Sequence, residues 1–239
     1  MSFQGWTTSH KEFNTPDWCN RITLATLDPA AGYRAALVER LPNAVRVVDH
    51  FHAIKLANSA IDDTRRRVQQ TTMQHRGHKG DPLYRGRRVF LTGFERLSPE
   101  RIAWMFELLA QGDPDGEVGA TILAKELLRE VYASVDLAHA RRRLILFFQH
   151  CADAGIPELT RLAKTIDRWR DEVLAYHHTS RASNGRVENV HMLAEKIRRN
   201  AHGFANHTHY RRRLIGCLGI KWTTIPTRRI RGRQPHSVA

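Results

Sequence analysis

Residues 21–49 contain the pattern that most restricts the fold of this chain. The segment RITLATLD (21–28) alternates apolar with small or polar residues, which predicts a β-strand. The segment AAGYRAALVERLP (30–42) predicts a helix ended by its proline, and the Val-rich VRVVD (45–49) predicts a second strand. A strand, a helix and a strand within about 30 residues are typical of a βαβ crossover, in which the two strands are parallel.

The chain becomes helical after the second strand. Apolar residues recur near helical spacing, and strand signals are almost absent between residues 50 and 180. Ser98 is the expected N-cap of one of these helices. Helices are predicted at 51–74, 98–112, 117–134, 137–153, 157–177 and 186–201. The predicted fold class is therefore α/β with a large α-helical part. Because two strands alone are marginally stable, we expect the sheet to depend on the helices or on another chain.

The same pattern divides the chain into five segments. They are an irregular segment at 1–20, the strand–helix–strand unit at 21–50, a helical insertion at 51–180, a C-terminal helix region at 181–222 and a basic tail at 223–239. The tail contains Gly and Pro among its arginines and is predicted to be disordered.

The charge of the chain indicates a polyanionic partner. Among 239 residues, 38 are Lys or Arg and 24 are Asp or Glu, so the formal net charge is +14. Arginine carries most of this charge and binds phosphate in a bidentate manner, so nucleic acid is the simplest partner. The alternative is a generally basic protein from an Arg-rich proteome.

Cysteine spacing and hydropathy exclude other classes of protein. Cys19, Cys151 and Cys217 are far apart and form no CxxC pair, which disfavours a zinc ribbon and a disulfide framework. No stretch reaches 18 apolar residues, and the first residues lack the apolar core of a signal peptide. We therefore expect a cytoplasmic protein with no membrane partner.

Two carboxylates follow the predicted strands. Asp28 ends the first strand and Asp49 ends the second. Active sites of open α/β sheets gather at the carboxyl ends of the strands, and carboxylates there can hold Mg²⁺, which prefers oxygen ligands. The alternative for each residue is a turn former or a helix cap.

A third carboxylate lies in SNGRVENVHMLAEKIRRNAHGF (183–204). A turn at Ser183, Asn184 and Gly185 opens a predicted helix, and Glu188 lies one turn into it. This glutamate is either a first-turn residue that complements the helix dipole or an active-site carboxylate beside DNA. The basic stripe that follows it and the two strand-end aspartates favour the active-site interpretation.

Three segments of the chain carry a resemblance to a known family. They are VVDHFHAIKLANSAIDDTRRRVQQ, HRGHKGDPLYRGRR and SNGRVENVHMLAEKIRRNAHGFANHTHYRRRL. Together they resemble the catalytic region of the ISL-three family of insertion-sequence transposases, in the family's order, from about Arg21 to Trp222. The resemblance implies a DDE transposase with a ribonuclease-H-like fold, partial in this chain, and a helical insertion before the final Glu. It also implies DNA strand cleavage and transfer with Mg²⁺ or Mn²⁺, DNA as partner and a homo-oligomer as the active form.

The resemblance assigns roles to individual residues. The motif S-N-G-x-x-E ends at Glu188, which makes Glu188 the third acid and Asn184 a supporting residue. The motif D-P-x-x-G-Y begins at Asp28, which makes Asp28 the second acid. Asp49, which lies 21 residues after Asp28, and His52 match the supporting Asp-x-x-His motif. Asp28 and Glu188 are then the expected metal ligands and Asp49 is expected to be catalytic, while an alternative makes Asp49 the second acid.

Basic residues within the resembling segments are the expected contacts to DNA phosphates. The candidates are Arg65, Arg66, Arg67, Lys79, Arg87, Arg88, Lys196, Arg198 and Arg199.

Two features of the family are not found in this sequence. The first acid belongs on an earlier strand, yet the only Asp before Asp28 is Asp17, 11 residues away and without a predicted strand before it. The family's amino-terminal zinc-binding and helix-turn-helix region is also absent. We therefore expect a truncated transposase with little cleavage activity of its own. The alternative is a catalytically dead DNA-binding remnant or a regulator.

Overall fold

The structure is a computed structural model that describes residues 16–219. The chain divides into two compact units, the first ending at Asn184 and the second beginning at Gly185. The described residues are mostly helical, and they contain one two-stranded sheet. A short helix, α1 (Pro16–Asn20), lies at the end of the segment predicted to be irregular. The predicted basic tail lies outside the described residues.

The sheet consists of the two predicted strands. Strands β1 (Leu24–Leu27) and β2 (Val45–Val48) are parallel, in a register that places Leu27 opposite Val48. Helix α2 (Ala31–Arg40) connects them. The prediction of a parallel strand–helix–strand unit is therefore confirmed, and the described residues are compatible with the α/β class.

The rest of the first unit is built of helices. They are α3 (His50–Met73), α4 (Pro82–Gly86), α5 (Pro99–Gly112), α6 (Glu117–Ala133), α7 (Leu137–Ala154), α8 (Pro157–Arg168) and α9 (Arg170–Leu174), with 3₁₀ turns at Phe94–Arg96 and Ala175–His177. Residues 50–180, all of which the structure describes, contain no strand, as predicted. Ser98 caps α5 as expected, because its side chain accepts a hydrogen bond from the Arg101 N–H. No helix within the described part of the chain is long and apolar enough to cross a membrane.

The helix predicted at 157–177 is interrupted at Trp169. The Trp169 backbone leaves helical geometry, with φ −108° and ψ 18°, so α8 ends one residue before it and α9 begins one residue after it. Its indole ring is buried in the core, and the Arg34 guanidinium lies 5.2 Å from the ring centroid. The helix is therefore interrupted where this large ring packs into the core, a feature that hydrophobic periodicity in the sequence does not reveal.

Two apolar clusters form the core of the first unit. The larger one joins the sheet to α3, α6, α7 and α8 and includes Val47, Ala57 and Phe147. The smaller one lies around α4 and α5 and includes Ile61 and Phe90. Helix α3 contributes to both clusters, so it ties the strands to the helical body.

The second unit is described up to residue 219. It contains α10 (Gly185–Asn200), α11 (His207–Leu214) and a π-helical turn at Ile215–Gly219. Beyond α10, Gly203 has φ 98° and its N–H donates to the Arg198 carbonyl near the end of that helix, as in a glycine C-cap. The Asn206 side chain caps α11 by accepting from two backbone N–H groups.

Candidate active site at the strand ends

The two strand-end aspartates follow opposing residues of the sheet. Because Leu27 and Val48 are paired, Asp28 and Asp49 are the next residues along the two parallel strands. The Asp49 N–H donates to the Leu27 carbonyl at 3.3 Å, which continues the parallel pairing by one residue. The carboxyl ends of parallel strands meet at one edge of a sheet, and both acids therefore lie at that edge.

His52 joins the two carboxylates. It lies in the first turn of α3, where a side chain leans back toward the helix N-terminus and so toward Asp49. Its Nε2 is 3.1 Å from Asp28 Oδ1, and its Nδ1 is 3.3 Å from Asp49 Oδ2. The imidazole is largely buried, so these contacts hold the two carboxylates in a defined relation to each other.

The two aspartates differ in their access to solvent. The Asp28 side chain is 44% exposed, whereas that of Asp49 is 2% exposed. Asp49 Oδ1 accepts a hydrogen bond from the Asn184 N–H at 3.3 Å and lies 3.4 Å from His50 Nδ1. Asp28 is therefore the carboxylate that can reach a bound ligand, and Asp49 is held by protein groups around it.

Two tyrosines pack behind the aspartate edge. The rings of Tyr132 and Tyr176 meet edge to face at 5.1 Å, and the His50 ring lies near both. The Tyr132 hydroxyl donates to the Val48 carbonyl at 3.4 Å. Burial, and after it the charge of Asp49, raises the pKa of Tyr132 well above its ordinary value, so the hydroxyl remains a donor. The sequence offered no signal for these tyrosines, because they lie on distant helical segments.

Asn184, the last residue of the first unit, is hydrogen-bonded to residues at the ends of both strands. Its backbone N–H donates to Asp49, and its side-chain Oδ1 accepts a hydrogen bond from the Thr26 hydroxyl. The sequence singled out Asn184 as a supporting residue, and its motif was the signal. Thr26 was missed, because a threonine inside a strand is ordinary for the pleated backbone.

Glu188 belongs to the second unit. It lies in the first turn of α10, four residues after Asn184. Further along the same helix, Lys196, Arg198 and Arg199 are exposed, and Arg198 donates to Glu195 at 2.8 Å.

Two members of the expected DNA-contacting set have partners inside the first unit. Arg65 is buried, with its guanidinium bound to Asp62 and Gln69. Arg67 donates to Glu117 and to Glu158, each at 2.9 Å. Both arginines lie on the side of α3 that faces the helical body, so Arg65 is removed from the set and Arg67 has a structural role. Helical spacing from the buried apolar positions of α3 could have revealed this.

The other candidates are more accessible. Arg66, Lys79 and Arg88 are exposed, and Arg66 has only a long contact of 3.7 Å to Asp63. Arg87 is partly buried, and its guanidinium lies 4.2 Å from the centroid of a neighbouring tyrosine ring. The accessible candidates therefore lie on α3, in the loop after α3, directly after α4 and on α10.

Comparison with known proteins identifies the type of chain. A family model described as a transposase, of the ISL-three kind, matches residues 6–214. No curated protein and no solved structure shows a significant match.

Proposed function

The chain belongs to the ISL-three family of transposases, and from this we propose that it binds DNA and acts in metal-dependent strand cleavage and transfer during transposition of a bacterial insertion sequence. The observation that carries the proposal is the edge of the sheet, where His52 bridges Asp28 and Asp49. Carboxylates gathered at strand ends are the arrangement that phosphoryl-transfer sites need.

The parallel strands form part of a ribonuclease-H-like core in this proposal. Two findings support it: an acid directly follows each strand, and a helical region separates the second strand from α10. The helical region from α3 to α9 then corresponds to the family's insertion before the final Glu.

Asp28 and Glu188 are the proposed ligands for Mg²⁺ or Mn²⁺. The exposed carboxylate of Asp28 fits these ions, which prefer oxygen donors and retain several waters. Glu188 is four residues from Asn184, which is bonded to Asp49, so the chain limits its Cα to within about 14 Å of the Asn184 Cα. When bound, the ion would activate a water or a 3′-hydroxyl as the nucleophile and would stabilise the negative charge at the scissile phosphate.

Asp49 and His52 support the site rather than bind the metal in this proposal. Asp49 is almost fully buried and its two oxygens already have protein partners, whereas Asp28 is accessible. His52 orients the Asp28 carboxylate by its contact at 3.1 Å. The chain's own residues therefore fix one ligand before any ion or DNA arrives.

DNA phosphates are the proposed partners of the basic residues that are exposed or partly exposed. These are Arg66, Lys79, Arg87, Arg88, Lys196, Arg198 and Arg199. Their contacts are to the backbone, so binding should depend little on base sequence. A homo-oligomer remains the proposed active form.

Cleavage of a transposon-end duplex by the purified chain, with Mg²⁺ or Mn²⁺, tests the proposal. Cleavage above background should be lost in Asp28→Ala and in Glu188→Ala, because each removes a metal ligand. Asp63→Ala is the matched control, since Asp63 is a similarly exposed aspartate with a weak ion pair. Cleavage that survives Glu188→Ala would remove that residue from the site.

A second candidate function is DNA binding without cleavage. Among residues 16–27 the one acidic side chain is Asp17, and it lies in α1 rather than at a strand end. Two-ion catalysis needs a further carboxylate. Duplex binding together with undetectable cleavage under both metals would favour this candidate, and robust cleavage would exclude it.

A further inference from the structure

The segment before α10 is attached to both strands through one residue. Thr26 lies in β1, opposite Val47, and its hydroxyl donates to Asn184 Oδ1 across 158 residues of chain. The Asn184 N–H donates to Asp49, the residue that follows β2. These two hydrogen bonds, here called the Asn184 latch, therefore hold Asn184 at the carboxyl-terminal ends of both strands.

The chain leading to the latch is also held along its path. Ser180 and Arg181 adopt positive φ values of 52° and 62°, an uncommon conformation for residues other than glycine. The Arg181 N–H donates to the Tyr176 carbonyl, and its guanidinium donates to the Ser134 carbonyl at 3.4 Å. This route returns the chain from the last helical turn of the first unit to the sheet.

Helix α10 starts immediately after the latch. Its first residue is Gly185, which leaves the backbone free to take many directions in the absence of a restraint. The first four N–H groups of a helix have no partner within it, so the first turn frays most easily. Glu188 lies in that turn, and its position therefore depends on what holds the residue before the helix.

We propose that Asn184 is a positioning residue: through Thr26 and Asp49 it fixes the point at which α10 begins, and it thereby restrains the first turn of that helix, which carries the proposed metal ligand Glu188. The inference rests on the proposed function for the role of Glu188, but the latch itself is a property of the first unit. Thr26 then supports the site indirectly, through its hydrogen bond to Asn184.

Hydrogen exchange of the first turns of α10 tests the latch without metal or DNA. Thr26→Val removes the hydroxyl and keeps the shape of the side chain, and Thr26→Ser keeps the hydroxyl. In Thr26→Val, and in Asn184→Ala, the backbone amides of residue 184 and of residues 189–192 should exchange about two- to tenfold faster, which corresponds to the loss of one hydrogen bond. Thr26→Ser should restore the slow exchange. Thr160→Val is the control, because the Thr160 hydroxyl bonds only within its own helix.

The double variant Thr26→Val/Asn184→Ala tests whether the two single substitutions remove the same hydrogen bond or act independently. It should exchange no faster than the single variants, because both remove the same interaction. Unchanged exchange in Thr26→Val, or acceleration that Thr26→Ser does not reverse, would overturn the latch. Thermal unfolding of each variant distinguishes a local effect from global loss of structure.

Mn²⁺ titration connects the latch to the metal site. Asp28→Ala should abolish the site, Thr26→Val should weaken Mn²⁺ binding several-fold, and Thr26→Ser should bind as the unchanged protein does. Normal Mn²⁺ affinity in Thr26→Val, beside loss in Asp28→Ala, would overturn the positioning role while leaving the proposed function intact. Unchanged affinity in Asp28→Ala would instead reject the proposed metal site and, with it, the role of Glu188 as a ligand there, whereas the exchange rates would still decide whether the latch exists.

Discussion

The Arg67 guanidinium lies between two carboxylates, those of Glu117 and Glu158. It donates three hydrogen bonds to the buried carboxylate of Glu158 and two to Glu117. Burial alone would raise the pKa of Glu158, but the hydrogen bonds from Arg67 lower it below its ordinary value of 4.5. Arg67 thus links α3 to α6 and α8, and its role in the structure is to stabilise the packing of these helices.

Replacing Arg67 should therefore destabilise the protein. Arg67→Ala leaves the Glu158 carboxylate with a backbone hydrogen bond and a longer contact of 3.6 Å to Arg161, and we expect a loss of about 2 kcal/mol in the free energy of unfolding. Urea denaturation near neutral pH measures it. Arg66→Ala is the control and should change stability by less than about 0.5 kcal/mol, since Arg66 is exposed. Equal effects of the two substitutions would contradict the structural role.

The same pair predicts a pH dependence. Because the pKa of Glu158 is lowered on folding, the ionised carboxylate stabilises the protein above pH 4.5, and this contribution is lost as the pH falls below that value. Arg67→Ala should therefore lose less stability than the unchanged protein between neutral and acidic pH. A parallel loss in both proteins would show that other groups control the acid transition.

Helix α4 illustrates close packing at the scale of an element. A Cβ at Gly86 would lie 2.1 Å from Cζ of the fully buried Phe90 ring. Gly86→Ala should therefore destabilise the first unit by about 1–3 kcal/mol through overpacking. Gly80→Ala is the control, since nothing lies within 4 Å of a Cβ there. Urea denaturation compares them, and partial recovery in Gly86→Ala/Phe90→Leu would identify the ring as the cause.

Different parts of helix α3 have different roles. Its first turn carries His52 to the aspartate edge, its middle supplies Ala57 and Ile61 to the two core clusters, and its outer surface carries Arg66. A disturbance of the helix therefore reaches both the core and the site.

At the scale of the whole molecule, the charge of +14 should govern DNA binding. Affinity for an unrelated duplex should fall at least about tenfold between roughly 50 and 200 mM salt, because phosphate contacts release counterions. Lys196→Glu/Arg199→Glu should weaken binding and flatten the salt dependence. Arg141→Glu/Arg142→Glu, which changes the net charge equally on the exposed surface of α7, is the control. Equal effects of the two pairs would show that net charge alone, rather than α10, attracts DNA.

Local sequence patterns were enough to predict the parallel strand–helix–strand unit, the positions of most helices, the cap at Ser98 and the two acids after the strands. These features follow from periodicity, capping and strand ends, which act over a few neighbouring residues. Packing between distant segments set the burial of Asp49, the roles of Arg65 and Arg67, and the break at Trp169. It also set the Asn184 latch, because the partners lie 91 residues apart for Arg67 and Glu158 and 158 apart for Thr26 and Asn184. Patterns among neighbouring residues do not indicate which distant side chains come into contact when the chain packs.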